Sequence, residues 1–347
     1  MSDKNKLGIG IVGCGAISDI HARAILESDK IDLISVYSRN LKNAKRVGEQ
    51  YGVSYSNDWD IFVNDESLDI VSICTPSGNH LDYGELAAEA GKHVVVEKPI
   101  DVTVERGKQL IDVCKKNSVK LAVIFQSRFL DSAIQIKDAI DSRKLGKIFH
   151  GSAYIKWFRS QEYYDSGEWR GTLALDGGGV LINQAIHTID LLQWMMGDVE
   201  TVYGHTGIFT HKNIEGEDNA AAVLKFKNGA LGIIEGSTSV LPAMDRRIEI
   251  HGKKGTAILT GDNVSISIGE SDKNQDEAEA KGSGAASPLA GFSIVPHQKQ
   301  FEAIVEAIQN NEKPPVTGKD SLKSLAIVEA VYKSSKTGLV VKMADLL

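Results

Sequence analysis

The sequence predicts an α/β protein in two parts: a doubly wound parallel sheet, then an α/β domain with a large open, mostly antiparallel sheet. Three observations support this class. Short apolar runs alternate with helical patterns through the first part, two hairpin patterns occur in the second, and 347 residues exceed what one hydrophobic core usually serves. We therefore expect domains at residues 1–125 and 126–347.

The first predicted strand, Leu7 to Val12, leads into a glycine-rich turn. The run Gly13-Cys14-Gly15-Ala16-Ile17-Ser18 matches the Gly-x-Gly-x-x-Gly fingerprint of a Rossmann dinucleotide site, with a serine at the third position. Such a turn lets the backbone approach a pyrophosphate, whose charge is met by the amides that open the next helix. The predicted cofactor contacts here are Gly13, Gly15, Ala16 and Ile17.

Further strands and helices alternate after this turn. The predicted strands are Leu33 to Tyr37, Ile70 to Cys74, Val94 to Glu97 and Leu121 to Phe125, and the predicted helices are Leu41 to Tyr51, His80 to Ala90 and Val104 to Lys116. Alternation of this kind implies a parallel sheet with right-handed crossovers. Ligands of such sheets bind at the carboxyl ends of the strands.

The residues after the second strand bear on the choice of cofactor. An acidic residue there would bind a ribose 2′-hydroxyl and repel a 2′-phosphate, whereas this chain has Ser38 and Arg39. The sequence therefore favours NADP(H), with NAD(H) as the alternative. Arg39 could equally stack on the adenine or be an exposed loop residue.

Two turns at the same predicted edge complete the cofactor site. Thr75-Pro76-Ser77-Gly78-Asn79-His80 follows the third strand, and we expect Thr75, Pro76, Asn79 and His80 to border the nicotinamide, although His80 could cap or pack instead. Glu97-Lys98-Pro99 ends the fourth strand, because proline cannot donate to a sheet ladder. This makes Lys98 a candidate acid/base, the alternative being a solvated surface lysine.

The second part offers one helix with a polar stripe. An apolar helix is predicted from Gly177 to about Met196, with Asn183, His187 and Trp194 sharing one face. A polar ligand would satisfy such a stripe, while a hydrogen-bonded core histidine is the alternative. Asp190 could hold the imidazole tautomer or engage the backbone. We expect no zinc here, since asparagine is a poor ligand and a third strong ligand is not evident.

Hairpins follow this helix. Ala220 to Phe226 and Ala230 to Glu235 flank Asn228-Gly229, and Arg247 to His251 pairs with Thr256 to Thr260. One face of this sheet would pack on helices and the other would receive a partner subunit, so a homodimer or homotetramer is expected. Gly269 to Ala290 reads as a mobile loop or lid, and two closing helices, about His297 to Asn310 and Ser321 to Thr337, should pack back on the body.

Composition limits the function classes. A net charge of -7 argues against a nucleic-acid or anionic-membrane surface, and no apolar stretch is long enough to span a bilayer. Three widely spaced cysteines, Cys14, Cys74 and Cys114, lack metal or redox spacing and are expected to be reduced and buried. With no signal-like N-terminus, we expect a cytoplasmic protein.

Taken together, these blocks resemble the glucose-fructose oxidoreductase, inositol dehydrogenase and rhizopine-catabolism (Gfo/Idh/MocA) family. The likeness rests on the glycine turn, on Thr75 to His80 with Ala90-Gly91-Lys92-His93, on Glu97-Lys98-Pro99 and on Gly177 to His187, with a weaker tail at Ala330 to Ser335. It implies hydride transfer between nicotinamide C4 and a carbinol carbon of a sugar, sugar nucleotide or cyclitol. A non-catalytic dinucleotide sensor of the same fold is the alternative.

By position, the resemblance makes Lys98 and His187 the acid/base pair, with Asn183 beside them. The family more often has an aspartate four residues before the histidine, so Asn183 should orient the hydroxyl rather than take its proton. Burial and the oxidised nicotinamide should both lower the pKa of Lys98 towards a neutral amine. Glu97 would contact the cofactor ribose or hold Lys98. The candidate substrate-lining residues are Gln126, Arg128, Tyr163, Tyr164, Trp169 and Arg170, with Arg128 or Arg170 as the anchor for a carboxylate or phosphate.

Overall fold

The computed structural model describes residues 6–269 and 293–347. They form two compact units, the first drawn from Met1–Gln126 and Gly291–Leu322, the second from Ser127–Ala290 and Lys323–Leu347. The first boundary lies one residue beyond the sequence-predicted one. The last stretch of the first unit differs from the expectation, which placed everything after residue 125 in the second domain.

The elements follow one another in chain order. The helices are α1 (Ala16–Leu26), α2 (Leu41–Tyr51), α3 (Trp59–Val63), α4 (His80–Glu89), α5 (Val104–Lys116), α6 (Asp131–Asp141), α7 (Gln161–Asp165), α8 (Ile186–Met196), α9 (Val295–Gln309) and α10 (Gly318–Thr337). The strands are β1 (Leu7–Val12), β2 (Ile31–Tyr37), β3 (Ser54–Ser56), β4 (Ile70–Ile73), β5 (His93–Val96), β6 (Leu121–Val123), β7 (Ile148–Lys156), β8 (Val199–Gly207), β9 (Asn219–Phe226), β10 (Leu231–Ser237), β11 (Arg247–Gly252), β12 (Gly255–Thr260), β13 (Asn263–Ile268) and β14 (Val341–Lys342).

The first unit is built on a six-stranded parallel sheet, in the order β3-β2-β1-β4-β5-β6. Its strands are short apolar runs because both faces are covered, as in other doubly wound sheets. Side-chain caps begin several helices, for example Asn40, which accepts a hydrogen bond from the amide of Lys42 at the start of α2. The predicted Rossmann architecture is confirmed.

Helix α9 packs on this first unit. Phe301, Ile304 and Val305 are buried in the same hydrophobic cluster as Ile9 and Ile25 of β1 and α1. These residues recur at helical spacing, so one apolar face of α9 finds its partner on α1. Sequence periodicity predicts the helix but cannot show which of two cores it joins.

The second unit is built on an eight-stranded sheet, in the order β13-β12-β11-β7-β10-β9-β8-β14. Only β7 and β10 pair in parallel, and the other neighbours are antiparallel. Along β9, Ala220, Ala222, Leu224 and Phe226 are buried while the residues between them are exposed. This alternation gives the sheet one covered face and one open face, as the sequence predicts.

The glycine-rich segment before α8 departs from a regular α-helix. Residues Val180–Ala185 form a π-helical turn, and the α-helix begins only at Ile186. Gly179 has no room for a side chain, since a Cβ there would lie 1.8 Å from the carbonyl oxygen of Glu217. π-Helical turns are rare and occur often at functional sites. Asn183 therefore lies in the π-helical turn, whereas His187 and Trp194 lie in α8, so the predicted polar face is not part of one regular α-helix.

Three further expectations concern single features. The sequence-predicted loop or lid at 269–290 lies outside the described residues except for Gly269. Cys74 and Cys114 are buried free thiols as expected, whereas Cys14 is only half-buried because it stands in the glycine turn. In the part of the chain that is described, no helix combines the length and apolar character needed to cross a membrane.

Candidate active site

The glycine turn of the first unit has the geometry of a phosphate cradle. Gly13 has φ +97°, and a Cβ there would lie 2.8 Å from the carbonyl oxygen of Cys74, so only glycine fits. A Cβ on Gly15 would meet nothing within 4 Å. Gly15 is also the N-cap of α1 and provides no side-chain cap, which leaves the first helix amides, those of Ala16 and Ile17, to a ligand. These observations fit a dinucleotide pyrophosphate.

The end of β2 carries the residues predicted to choose between the two cofactors. Ser38 is half-buried, and its hydroxyl accepts a hydrogen bond from the amide of Asn40 at 3.3 Å, while Arg39 is exposed. Tyr37 packs against Trp59 and Tyr83 with ring centroids 5.3 and 5.9 Å away. The strand end therefore offers one hydroxyl, one exposed guanidinium and an aromatic cluster.

The turn after β4 divides into a ligand-facing and a structural part. Thr75 Oγ1 is buried and has no hydrogen-bond partner within the described ranges, as expected of an atom that a cofactor would satisfy. Pro76 precedes the short 3₁₀ turn that leads into α4, Asn79 is the last residue of that turn, and both are half-buried. His80 is fully buried instead: Nδ1 donates to the carbonyl of Pro99 at 2.8 Å, and Nε2 lies 3.2 Å from the carbonyl of Thr75.

His80 is thus a packing residue that ties the turn after β4 to the turn after β5. Burial lowers the pKa of its imidazole, which keeps the ring neutral. The sequence left a direct cofactor contact and a packing role open for His80, and this geometry corresponds to the packing role.

Glu97 holds the backbone of Lys98. Glu97 Oε2 accepts the Lys98 amide at 3.0 Å, and Oε1 accepts a hydrogen bond from His21 Nε2 at 2.8 Å. Burial alone would raise the pKa of Glu97, but the hydrogen bond and charge of His21 and the charge of Lys98 outweigh it, so the pKa falls to about 2. The carboxylate is therefore ionised at neutral pH. Lys98 itself is half-buried at the carboxyl edge of the sheet.

Behind Glu97 lies a buried polar cluster that sequence reasoning missed. The ligand atoms of His21, Glu97 and His297 lie within 4.8 Å of one another, close enough to hold a metal ion. His21 already bonds Glu97 through Nε2 and Ser72 through Nδ1 at 2.9 Å, so its nitrogens have partners without an ion. Burial, with the charge of His21, lowers the pKa of His297 to about 4. The cluster connects α1, β4, the Glu97 turn and α9.

In the second unit, the π-helical turn presents an amide network. Asn183 Nδ2 donates to Asp176, and Gln184 Nε2 donates to Asn183 Oδ1 at 2.6 Å and to Tyr163 Oη at 2.8 Å. Arg170 Nη1 donates to the same Tyr163 oxygen at 2.8 Å. Asn183, Tyr163 and Arg170, three of the predicted site residues, are therefore brought together.

His187 and Trp169 are half-buried, and Trp169 stacks on Arg170 with its ring centroid 4.6 Å from the guanidinium carbon. Tyr164, by contrast, is buried and its hydroxyl bonds Thr238, which makes it a packing residue. In the first unit, Gln126 follows β6, and its Oε1 is buried with no partner in the described part of the chain.

Arg128 does not lie open to an anionic substrate. It is buried and grips Asp190 with two hydrogen bonds of 2.7 Å, and Ser324 donates to the same carboxylate at 2.8 Å. Asp190 is fully buried and binds Arg128, a partner that the sequence analysis did not predict, since it assigned Asp190 to the imidazole of His187 or to the backbone. Trp194 lies 5.5 Å from Arg128, so this end of the predicted stripe belongs to packing.

Four residues that contact the predicted site residues were not predicted from the sequence. His21, Arg159, Asp176 and Gln184 reach their partners through the folded chain, not through a motif. Only Gln184 had a signal in the sequence, since it stands next to Asn183 within the glycine-led block.

Comparison with known proteins covers both units. Two models of the Gfo/Idh/MocA oxidoreductase family match, the NAD-binding Rossmann fold over residues 7–125 and the C-terminal alpha/beta domain over residues 137–343. The WlbA dehydrogenase from Bordetella pertussis, solved in complex with NADH and UDP-GlcNAcA, is 30% identical, with a TM-score of 0.85, covering 97% of this chain and 98% of that one.

Two curated relatives are similar over nearly their whole length. Myo-inositol 2-dehydrogenase of Thermotoga maritima is 26% identical and covers 98% of this chain and 99% of its own. D-apiose dehydrogenase of Paraburkholderia graminis is 25% identical and covers 97% of this chain and 89% of its own. These relatives act on a cyclitol and on a sugar, as their names state.

Proposed function

The chain belongs to the Gfo/Idh/MocA oxidoreductase family, and we propose that it transfers hydride between nicotinamide C4 and a carbinol carbon of a sugar, sugar nucleotide or cyclitol. The observation that carries this proposal is the cradle at Gly13 and Gly15, followed along the same sheet edge by Thr75 and Lys98. The sugar and cyclitol dehydrogenases among its relatives support the substrate class. We propose the second unit as the substrate-binding and oligomerisation domain.

The bound nicotinamide supplies the hydride acceptor or donor. Oxidation of an alcohol also needs a group to take the hydroxyl proton, and reduction of a carbonyl needs one to give it. We propose Lys98 and His187 as the acid/base pair, with Asn183 orienting the hydroxyl. Three contacts support these roles: Glu97 fixes the backbone of Lys98, and Asp176 and Gln184 each fix the amide of Asn183.

For the cofactor, we propose a preference for NADP(H), carried by Ser38 and Arg39. Neither side chain is acidic, so a 2′-phosphate would meet a hydroxyl and a guanidinium. NAD(H) is the alternative, since the WlbA relative binds NADH.

Turnover tests the dehydrogenase proposal against the sensor alternative. The protein is mixed with each oxidised cofactor and a panel of polyols, glycosides and nucleotide sugars, and absorbance of reduced nicotinamide is followed. We expect turnover that Lys98→Met abolishes while the dissociation constant for cofactor stays close to that of the unaltered protein. Cofactor binding without turnover across the panel would favour the sensor.

We also propose a homodimer or homotetramer through the open face of the second sheet. Tyr203, Val223 and Ile233 are direct neighbours across β8, β9 and β10 and are 37%, 54% and 36% exposed. A contiguous apolar row of this kind is typical of an interface. Light scattering should give a multiple of the 37.6 kDa chain mass, and Val223→Lys should lower it. A monomeric unaltered protein would contradict the proposal.

A further inference from the structure

Two arginines of the second unit gather around one tyrosine ring. The guanidinium carbon of Arg170 lies 4.3 Å from the ring centroid of Tyr163, and that of Arg159 lies 5.3 Å from it. Both arginines are half-buried. Two positive charges that share one aromatic ring are stabilised when an anion binds beside them.

Neither guanidinium has a carboxylate partner among residues 6–269 and 293–347. Arg159 donates to the Phe158 carbonyl at 3.0 Å and to Gln184 at 2.8 Å, and Arg170 donates to Tyr163 at 2.8 Å, all of them neutral oxygens. Arg170 Nε is buried without a partner in the same ranges. These neutral contacts orient the guanidinium groups but leave their charge unpaired.

Other arginines of this unit behave differently. Arg128 pairs with Asp190 at 2.7 Å, Arg246 with Asp262 at 2.7 Å and Arg247 with Glu249 at 2.6 Å. Burying an arginine is costly unless an anion accompanies it, and the fold supplies one for Arg128 and for Arg246, whose side chains are 7% and 12% exposed. The more exposed Arg247 is paired as well. For Arg159 and Arg170, no carboxylate of this kind lies among residues 6–269 and 293–347.

Acidic residues on the adjoining helix α7 are turned to other partners. Glu162 is held by Ser160, and Asp165 accepts a hydrogen bond from Gln161 at 3.0 Å. Neither forms an ion pair with Arg159 or Arg170 in the described part of the chain. As far as the described residues show, the charge of the two guanidinium groups is thus open to an anionic ligand.

Resting on the proposed function, we propose that Arg159 and Arg170 bind the carboxylate of an acidic sugar, so that the substrate is a hexuronic acid or its nucleotide derivative. Planar guanidinium groups match the two oxygens of a carboxylate, and Tyr163 and Gln184 hold both groups in place. Gln184 also bonds Asn183, so the same network joins the carboxylate site to the predicted hydroxyl-orienting amide. The two arginines would select acidic over neutral sugars.

Calorimetric titration of the full chain, saturated with reduced cofactor, tests this inference. UDP-glucuronate and UDP-glucose share a diphosphate and differ in the carboxylate, and inorganic phosphate tests for a general anion site. We expect UDP-glucuronate to bind roughly tenfold to a hundredfold more tightly than UDP-glucose, and Arg170→Met or Arg159→Met to remove that advantage. Arg247→Met, which removes an arginine already paired with Glu249, should leave it unchanged.

The titrations distinguish a carboxylate site from the other possible roles of the two arginines. Equal affinity for the two nucleotide sugars would overturn the inference, and so would an Arg170→Met variant that weakens both equally, because the arginine would then serve the diphosphate or the fold. Phosphate that competes as strongly as glucuronate would also overturn it. Preference for the uronate without reduction or oxidation of the nicotinamide would support the carboxylate site while refuting the dehydrogenase proposal.

Discussion

The buried pair of Arg128 and Asp190 offers the sharpest test of stability. We expect Asp190→Asn to lower the free energy of unfolding by about 3–5 kcal/mol, because it leaves the charge of a buried guanidinium uncompensated. This loss is large for a single polar substitution. The structure supports it, because the Asp190 carboxylate is 0% exposed and accepts three hydrogen bonds of 2.7 to 2.8 Å.

Urea denaturation followed by circular dichroism measures this loss. Glu200→Gln is the matched control, because Glu200 pairs with Lys225 at 2.8 Å on the surface and should cost less than about 1 kcal/mol. The double variant Arg128→Met/Asp190→Leu removes both charges and should recover most of the loss. Equal effects of Asp190→Asn and Glu200→Gln would refute the reasoning. If Arg128→Met were as stable as the unaltered protein but no longer bound substrate, Arg128 would instead be a substrate anchor, as the sequence analysis proposed.

Three further outcomes follow from single side chains. NADPH should bind more tightly than NADH, and Ser38→Asp should reverse the order of the two dissociation constants; tighter NADH binding by the unaltered protein would contradict the assignment. The imidazole of His297, with a pKa of about 4, stays neutral in the fold, so stability should decline as pH falls from about 6.5 to 4, and His297→Asn should flatten that decline in pH-dependent denaturation. Burial raises the pKa of Glu217 to about 7, so the contribution of Glu217 to the free energy of unfolding should fall as pH rises from about 4.5 to 7. Glu217→Gln should remove this dependence of stability on pH. An unchanged dependence in the variant would show that Glu217 does not titrate in that range.

The sequence predicts the parallel sheet and the glycine cradle because both depend on local patterns. Apolar runs bounded by turns locate β1, β4 and β5 within a few residues, and Gly13 has a conformation that only glycine adopts readily. The hairpin at Asn228-Gly229 was equally local. Such features can be predicted because they depend only on residues that are close together along the chain.

Long-range pairing is what the sequence could not reveal. Arg128 and Arg170 look alike as lone arginines near a predicted site, yet Arg128 pairs with a buried carboxylate and Arg170 has no carboxylate partner among the residues that the structure describes. Their difference depends on which residues the fold brings beside them, Asp190 in one case and Tyr163 in the other. The π-helical turn before α8 was missed for a similar reason, because the residue it contacts, Glu217, lies far along the chain: the amide of Val180 donates to the Glu217 carbonyl at 2.8 Å.

Because α9 supplies part of the core beneath the cofactor sheet, synthesis of the protein has a built-in order. The ribosome releases β1 to β6 and then residues 127–290 of the second unit before His297 and Phe301 emerge. Until then, the nascent nucleotide-binding half exposes the apolar side of α1 and cannot complete its fold. A fragment ending after Gln126 should therefore aggregate or need a chaperone, and supplying residues 293–322 as a separate peptide should rescue it.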